Sequence, residues 1–331
     1  MNNRLILLLC VLTACTSTPS YQTIGTFERY DAALDDVVQP GAKAEIIAEG
    51  HDWSEGPVWV GELQALLYSD VPRNTIYQWS EKGGVQEYLK PSGYTGAGNY
   101  SGEPGSNGLL LDEQGLLLLC QHGDRRVALM DAELNEPQPV FTSVADRFRG
   151  RKFNSPNDAA IDREGNLYFT DPPYGLPEQA TDSTRELNFQ GVYKVDTNGK
   201  VYLLVDSLTR PNGIALSPDQ RTLYVANSDP DRARWYRYTL GDTAVVAGEI
   251  FYDGTAESKA GAPGLPDGFK VDRNGNLYAS GPGGVSIFNA TGQRLGLLRL
   301  DAPTSNTALS ADEKTLYITN DMYVLRVRLR D

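Results

Sequence analysis

The chain repeats one short pattern six times, and this repeat limits the fold more than any other feature. Each copy begins with a small residue or proline and then a polar residue, followed by an apolar strand, a polar turn and a second apolar strand. The copies recur every roughly 40 to 55 residues, which leaves room for about four short strands in each. Turns such as DREG and DRNG place Asp, Asn and Gly where tight hairpins favour them. The sequence therefore predicts an all-β protein, a six-bladed β-propeller with four-stranded blades.

The two ends of the chain predict how the ring closes. Residues 42–50, AKAEIIAEG, are typical of a strand, and residues 324–331, VLRVRLRD, form the last one. We expect these N- and C-terminal strands to meet in one shared blade. Residues 42–331 are then a single propeller domain.

The first residues are typical of a targeting segment. The apolar run over 5–12 follows one cation and is too short to span a bilayer, as in the core of a signal peptide. The letters LTAC at 12–15 resemble a bacterial lipoprotein box. We therefore predict a signal peptide over 1–14, lipidation of Cys15 and a tether over 15–41, with an ordinary secretory signal as the alternative.

The expected location and partners follow from the same segment and from the charge. Thr16, and not aspartate, follows Cys15, which by resemblance to the Gram-negative sorting rule indicates the outer membrane. We expect a lipid-anchored protein of the bacterial cell envelope, facing the periplasm and touching the membrane through its anchor only. With 43 acidic against 30 basic residues and a net charge of −13, the chain repels phosphate backbones, so nucleic acid is not an expected partner.

The polar residue that leads each repeat is the main candidate for function. In a propeller, equivalent positions on the innermost strands gather at one mouth of the central channel, so these leaders form a ring. They are Glu55, Asn107, Asn157, Asn212, Asp267 and Asn306. Turn formation is the alternative role for each one alone.

Four of these leaders together are suited to a metal ion. Glu55, Asn157, Asn212 and Asp267 offer two carboxylates and two amide oxygens, which are the hard donors that Ca²⁺ prefers; another divalent cation is possible. A three-histidine zinc site is excluded because the chain has only two histidines. The remaining leaders, Asn107 and Asn306, are expected to line the mouth without contacting metal.

Other residues are candidates for the substrate pocket. Asn107 and Tyr174, the latter in the loop DPPYGL, are expected to line it. His122 follows the second strand of its repeat and is a candidate for substrate contact or general base, with a structural role as the alternative. The Gly-rich loop Tyr94–Gly108 is long for a hairpin and could form a lid or a partner surface.

At these motifs the chain resembles the senescence marker protein/gluconolactonase/luciferin-regenerating family of six-bladed calcium propellers. CQHGDRR and DPPYGL resemble its bacterial gluconolactonase branch. The motifs that carry the resemblance are SEGPVW (54–59), NSPNDAAID (154–162), DPPYGL (171–176), RPNGIALSPD (210–219) and PDGFKVD (266–272).

The resemblance implies roles for individual positions. Glu55 and Asn212 match the family's metal ligands, and Asp267 matches an aspartate that is both a ligand and the expected base or nucleophile. Asn157 matches an asparagine that binds metal in some members and substrate or metal-bound water in others, and Asp158 stands beside it. The chain departs from the animal members at Ser155, where they have an arginine, so sugar recognition by that arginine is not expected here.

The sequence thus predicts a hydrolase that opens a sugar-type lactone. Calcium would polarise the ring carbonyl, and a carboxylate would act as general base, with Asp267 the first candidate and Asp158 the second. One alternative is phosphotriester hydrolysis on the same ring. The other is a non-enzymatic, lipid-anchored binding propeller with structural calcium.

Overall fold

The computed structural model describes residues 21–330 and begins with short strands that come before the repeats. A five-residue 3-10 helix, Ala32–Asp36, lies between the second and third of them. These strands are β1 (Thr23–Ile24), β2 (Thr26–Arg29) and β3 (Ala44–Ala48).

The first three blades follow as consecutive antiparallel sheets. Blade one contains β4 (Ser54–Val60), β5 (Ala65–Asp70), β6 (Thr75–Ser80) and β7 (Gly84–Leu89). Blade two contains β8 (Ser106–Leu111), β9 (Leu117–Gln121), β10 (Arg126–Met130) and β11 (Phe141–Ala145). A two-stranded ribbon, β12 (Arg147–Phe148) and β13 (Arg151–Lys152), leads to blade three. That blade contains β14 (Ala159–Ile161), β15 (Leu167–Asp171), β16 (Gly191–Val195) and β17 (Val201–Val205), with a 3-10 turn at Gln179–Thr181.

The last three blades complete the ring and confirm the predicted six-bladed propeller. Blade four contains β18 (Pro211–Leu216), β19 (Thr222–Asp229), β20 (Arg232–Leu240) and β21 (Val245–Asp253). A short helix, α1 (Thr255–Lys259), precedes blade five, which contains β22 (Phe269–Val271), β23 (Leu277–Gly281), β24 (Gly284–Phe288) and β25 (Arg294–Arg299). Blade six contains β26 (Asn306–Leu309), β27 (Thr315–Asn320) and β28 (Tyr323–Arg328).

The core lies between adjacent blades. The second strands β5, β9, β15 and β23 are buried along their whole length, because each is covered by a neighbouring blade on both faces. Aromatic side chains fill the space between blades two and three, where the ring centroids of Phe153 and Phe169 are 5.0 Å apart. By contrast, outer strands such as β21 are largely exposed. The apolar runs of the sequence therefore mark the middle of each blade.

The N-terminal strands close the ring, as predicted for residues 42–50. β3 pairs antiparallel with β28, with Ile46 opposite Leu325, so blade six takes its fourth strand from the start of the chain. β1 then pairs with β3 as a fifth strand.

The prediction of a tether over 15–41 is wrong from residue 23 onward, where the structure has strands. β2 pairs with β25 and adds a fifth strand to blade five, with Phe27 opposite Leu298. Leu34 and Val38 are buried against the same sheets, since a segment with these apolar side chains gains free energy by packing. The propeller therefore begins near Thr23, and not at residue 42.

The predictions for the signal peptide and for lipidation of Cys15 lie outside the described residues. Within residues 21–330, none of the helices has the length and hydropathy that a membrane span requires.

Candidate active site

The repeat leaders lie at one end of the central channel. The first strands of neighbouring blades contact one another around the axis, so they form its wall. Glu55, Asn107 and Asn212 belong to the first residues of β4, β8 and β18, while Asn157 and Asp267 come two residues before β14 and β22. The ring predicted from the repeat therefore forms.

A glycine follows the leader in four of the six blades, because the leaders approach each other closely. A Cβ on Gly56 would lie 1.9 Å from the carbonyl oxygen of Asn107, and one on Gly213 would lie 2.3 Å from that of Asp267. Blade three has Asp158 at this position. Its carboxylate therefore enters the channel where four of the other blades have no side chain, while blade six has Thr307 there.

Buried hydroxyls hold the leaders in place from the neighbouring blade. Ser69 in β5 donates to the carbonyl oxygen of Asn107 at 3.0 Å, and Thr170 in β15 donates to that of Asn212 at 2.6 Å. These two hydroxyls stand at the same place in the second strands of blades one and three, in the letters YSD and FTD. The recurring hydroxyl can be recognised in the sequence, but its hydrogen-bond acceptor on the next blade is known only from the structure.

A cavity of about 350 Å³ opens above the leaders. It brings together all four predicted metal ligands with Asn107 and Tyr174, whereas Asp158 and His122 do not line it. Its other lining residues include Glu103 and Ser228, which the sequence did not single out, and no Lys or Arg belongs to the lining within the described part of the chain.

Two carboxylates, the buried Glu55 and the partly buried Asp267, face this cavity with few hydrogen bonds. Burial and, to a smaller extent, the negative charges of Asp158 and Glu103 raise the pKa of Glu55 to about 8. Burial and the nearby Glu55 likewise hold the pKa of Asp267 well above its usual range. Within residues 21–330, the only hydrogen bond given to each carboxylate by the backbone comes from the following residue, from Gly56 N at 2.9 Å and from Gly268 N at 3.0 Å. Glu55 and Asp267 therefore repel each other when both are ionised, and a bound cation would relieve this repulsion.

The two asparagines among the predicted metal ligands direct their NH₂ groups at protein partners. Asn212 Nδ2 donates to Ser228 Oγ at 3.0 Å, and Asn157 Nδ2 lies 3.5 Å from His122 Nε2. The amide oxygens are therefore available, and Asn157 Oδ1 is buried without a hydrogen-bond partner. An unpartnered buried oxygen is unfavourable unless a ligand binds it.

This donor set fits a hard divalent cation such as Ca²⁺, with two carboxylates and two amide oxygens. Among residues 21–330, no group of three or more His, Cys, Asp and Glu side chains is arranged to hold a metal ion, so the amides are needed to complete this set.

Asn306 connects the ring across the channel. Its Nδ2 donates to Asp158 Oδ2 at 3.4 Å, although blades three and six lie opposite each other. A hydrogen bond from the same amide lowers the pKa of Glu55. On the other side, Lys270 Nζ lies 3.5 Å from Asn306 Oδ1. Asn306 is thus a bridge between carboxylates.

The Gly-rich loop covers one side of the cavity and supplies Glu103. The rings of Tyr94 and Tyr100 are 4.8 Å apart, and the Tyr100 hydroxyl donates to the carbonyl oxygen of Gly175 at 2.7 Å. His122, which is fully buried, has its Nδ1 3.3 Å from Glu103 Oε2. Glu103 has no counterpart in the other repeats, so the repeat pattern could not indicate it.

The loop DPPYGL adjoins the Gly-rich loop through the hydrogen bond between Tyr100 and Gly175 and supplies Tyr174 to the cavity. Ser155 Oγ donates to the carbonyl oxygen of Pro172 at 2.6 Å and accepts from Gly175 N at 2.9 Å, so it supports this loop. Tyr174 is partly buried, and desolvation raises the pKa of its hydroxyl. The predicted lining role of Tyr174 has the expected geometry, and Ser155 has a structural role.

A larger cavity of about 730 Å³ lies between blades four and five, away from the channel mouth. Its two arginines are already paired, Arg237 with Glu249 and Arg273 with Glu313, each at 2.7 Å. We therefore place the candidate site in the smaller cavity, where polar atoms lack partners.

Together these features define a six-bladed propeller with an oxygen-lined site at one mouth of its channel. The chain belongs to the SMP-30/gluconolactonase/LRE-like family, whose model matches residues 53–321. This confirms the resemblance indicated by the sequence motifs.

Individual relatives agree with that assignment. A gluconolactonase of Zymomonas mobilis is 37% identical over 315 residues, which cover 93% of this chain and 87% of that protein. The structure of a gluconolactonase from Xanthomonas campestris superposes with a TM-score of 0.81 at 29% identity, covering 97% of this chain and 100% of that one. A calcium-binding regucalcin from Agrobacterium tumefaciens shares the fold, with a TM-score of 0.66 at 18% identity over 88% of this chain and 94% of that one.

Proposed function

We propose that the chain is a calcium-dependent hydrolase of sugar-type lactones. The observation that carries the proposal is the pair of carboxylates at the cavity, Glu55 and Asp267, with raised pKa values beside an unpartnered amide oxygen of Asn157. The Zymomonas and Xanthomonas relatives, both named gluconolactonases, support the reaction class.

Glu55, Asn157, Asn212 and Asp267 would hold the calcium ion. When bound, calcium supplies a Lewis acid that polarises the lactone carbonyl and offsets negative charge on its oxygen. A cation here would also remove the repulsion between Glu55 and Asp267. The regucalcin relative, described as a calcium-binding protein, supports the choice of ion.

Asp267 is the first candidate for the general base. It lines the cavity, so its carboxylate can accept a proton from a water molecule that attacks the carbonyl carbon. Asp158 is the second candidate, and it lies behind the leaders without lining the cavity.

The cavity favours a neutral polyol lactone. Glu55, Glu103 and Asp267 give it a negative lining, and Lys and Arg are not among its lining residues within 21–330. A phosphorylated or carboxylated lactone would be repelled. The volume of about 350 Å³ is within the range of small-molecule sites.

We also propose that the protein is anchored in the bacterial cell envelope. The support is the lipoprotein-box motif at 12–15, followed by Thr16. Replacement of Cys15 by alanine should release the protein from the membrane fraction.

The reaction is tested by acid release from glucono-1,5-lactone, measured above the spontaneous rate with calcium and with a chelator. We expect calcium-dependent turnover in the wild type and a loss of about 100-fold or more in Asp267→Ala. Asp131→Ala, which removes an exposed carboxylate at the opposite end of its blade, is the matched control and should keep full activity. Calcium binding without turnover on several lactones would contradict the proposal.

A further inference from the structure

We propose that Glu103 and His122 are positioning residues that orient the Asn157 amide so that its oxygen faces the cation site. This inference deepens the proposed calcium site and depends on it. The three side chains form one row: Glu103 Oε2 lies 3.3 Å from His122 Nδ1, and His122 Nε2 lies 3.5 Å from Asn157 Nδ2.

The proton positions follow from the charge of Glu103 and from which atoms can donate. His122 Nδ1 has no hydrogen-bond partner among the described residues, and the Glu103 carboxylate 3.3 Å away is the acidic group that it faces, so the negative charge favours a proton on Nδ1. In neutral imidazole the other nitrogen, Nε2, is then an acceptor. An amide nitrogen donates, so Asn157 presents its Nδ2 to this lone pair and its Oδ1 to the opposite side.

The alternative tautomer would remove the Asn157 amide oxygen from the cation site. If His122 carried its proton on Nε2, the favourable partner would be the amide oxygen of Asn157. The amide would rotate, and its NH₂ group would face the position of a cation. Glu103 therefore acts at a distance, because it selects the histidine tautomer and the tautomer selects the amide orientation.

Burial makes this arrangement specific. His122 is 0% exposed and Asn157 is 2% exposed, so water cannot easily replace a missing partner. Asn157 Oδ1 has no hydrogen-bond partner, as expected for an atom that is held ready for a ligand.

Glu103 belongs to the Gly-rich loop and is three residues beyond Tyr100, whose hydroxyl donates to the Gly175 carbonyl oxygen at 2.7 Å. The side chain of Glu103 is 33% exposed and also lines the cavity. The charge that favours a proton on His122 Nδ1 therefore comes from this loop.

The tautomer can be observed directly by ¹⁵N NMR of the protein labelled in histidine. The chain has only two histidines, and His122→Gln assigns the spectrum by removing one imidazole. We expect His122 to be protonated on Nδ1 alone in the wild type and to lose this preference in Glu103→Ala. Glu113→Ala removes an exposed carboxylate in the turn at the other end of blade two, and it should leave the spectrum unchanged. A wild-type His122 protonated on Nε2 overturns the inference.

Calcium affinity, measured by titration calorimetry, gives the second readout. We expect Glu103→Ala and His122→Leu to weaken calcium binding about 10-fold or more, in the range found for partners of metal ligands. Glu103→Gln removes the charge and keeps the size of the side chain, so it should weaken calcium binding as Glu103→Ala does. Wild-type affinity in both Glu103 variants would overturn the inference.

The outcomes separate this inference from the proposed function. Wild-type protein that neither binds calcium nor turns over lactone defeats both. Normal calcium binding and turnover in the wild type, with unchanged affinity in Glu103→Ala and His122→Leu, defeats only the positioning role. Thermal unfolding of each variant verifies that the propeller is intact, so a loss of affinity is assigned to the site.

Discussion

At the scale of single residues, Asp158 shows how one substitution in a repeat changes a site. Four other blades place glycine after the leader, and contacts shorter than 3 Å would follow from a Cβ there. Blade three places a carboxylate in the channel instead, where Asp158 Oδ1 accepts from Ala159 N at 2.9 Å. Its charge contributes to the raised pKa values of Glu55 and Asp267. Asp158 therefore acts on the ring through charge.

Replacement of Asp158 by asparagine tests this role. Because the carboxylate does not line the cavity, we expect turnover at saturating calcium to fall less than about 10-fold, whereas loss of a general base costs about 100-fold or more. Calcium affinity should fall, since one negative charge is lost near the site. The measurement is lactone turnover and calcium titration on the same samples.

The variant Asp131→Asn, with the same chemical change at an exposed position, should match the wild type. If Asp158→Asn loses more than about 100-fold in turnover while calcium stays bound, Asp158 is the base and Asp267 is a ligand only.

The sequence predicted the leaders well because they recur at equivalent positions in every blade. Glu55, Asn157, Asn212 and Asp267 meet around one cavity for that reason. Glu103 was missed because it lies in a loop that has no equivalent in the other repeats. The sequence also left open whether its neighbour His122 contacts substrate or has a structural role. Contacts made by a single loop leave no periodic signal in one sequence.

At the scale of elements, the N-terminal strands were the main error. The segment TIGTFER is short, and its partner strand β25 lies near the other end of the chain, so nothing local marks it as a strand. The ion pair between Glu28 and Arg299 joins the same two strands. The shared blade was predictable because the sixth repeat is one strand short of a complete blade, and residues 42–50 have the pattern of a strand.

Replacement of Leu34 by alanine tests whether this segment is part of the domain. Leu34 is 0% exposed and packs in the core cluster of blades five and six. We expect the free energy of unfolding to fall by about 2 to 5 kcal/mol, as for other buried leucines. Denaturant unfolding measures the change.

Leu116→Ala is the matched control because Leu116 is 39% exposed in a turn, so its loss should cost little. Equal stability of Leu34→Ala and wild type would mean that the segment behaves as a tether, as the sequence first suggested.

At the scale of the whole molecule, folding of the ring raises the pKa of several carboxyl groups that it removes from solvent. Glu55 and Asp267 belong to the channel mouth, and Asp171 is buried at the end of β15, where burial raises its pKa to about 7. A carboxyl group with a raised pKa in the folded state favours folding while it is protonated. This contribution is complete below the ordinary pKa and is lost as the pH rises through the folded-state value.

The metal-free protein should therefore become less stable as the pH rises from about 6 to 9. Across this range Glu55, with a pKa of about 8, and Asp171 both lose their protons in the folded state. Each unit of pKa shift corresponds to about 1.4 kcal/mol, so the melting temperature in chelator should fall by several degrees. Scanning calorimetry across this pH range measures the fall.

Calcium should remove most but not all of this pH dependence. A bound cation stabilises the ionised forms of Glu55 and Asp267, because it replaces their mutual repulsion by attraction, and it releases protons on binding. The Asp171 carboxylate accepts hydrogen bonds from Asn154 N and Ser155 N and does not line the cavity. Its contribution to the pH dependence of stability should therefore persist with calcium. Glu55→Gln in chelator should reproduce the flatter profile, since the variant has no proton to lose at that position. A metal-free wild type whose melting temperature rises between pH 6 and pH 9 would contradict the assignment of protonated carboxyl groups to this ring.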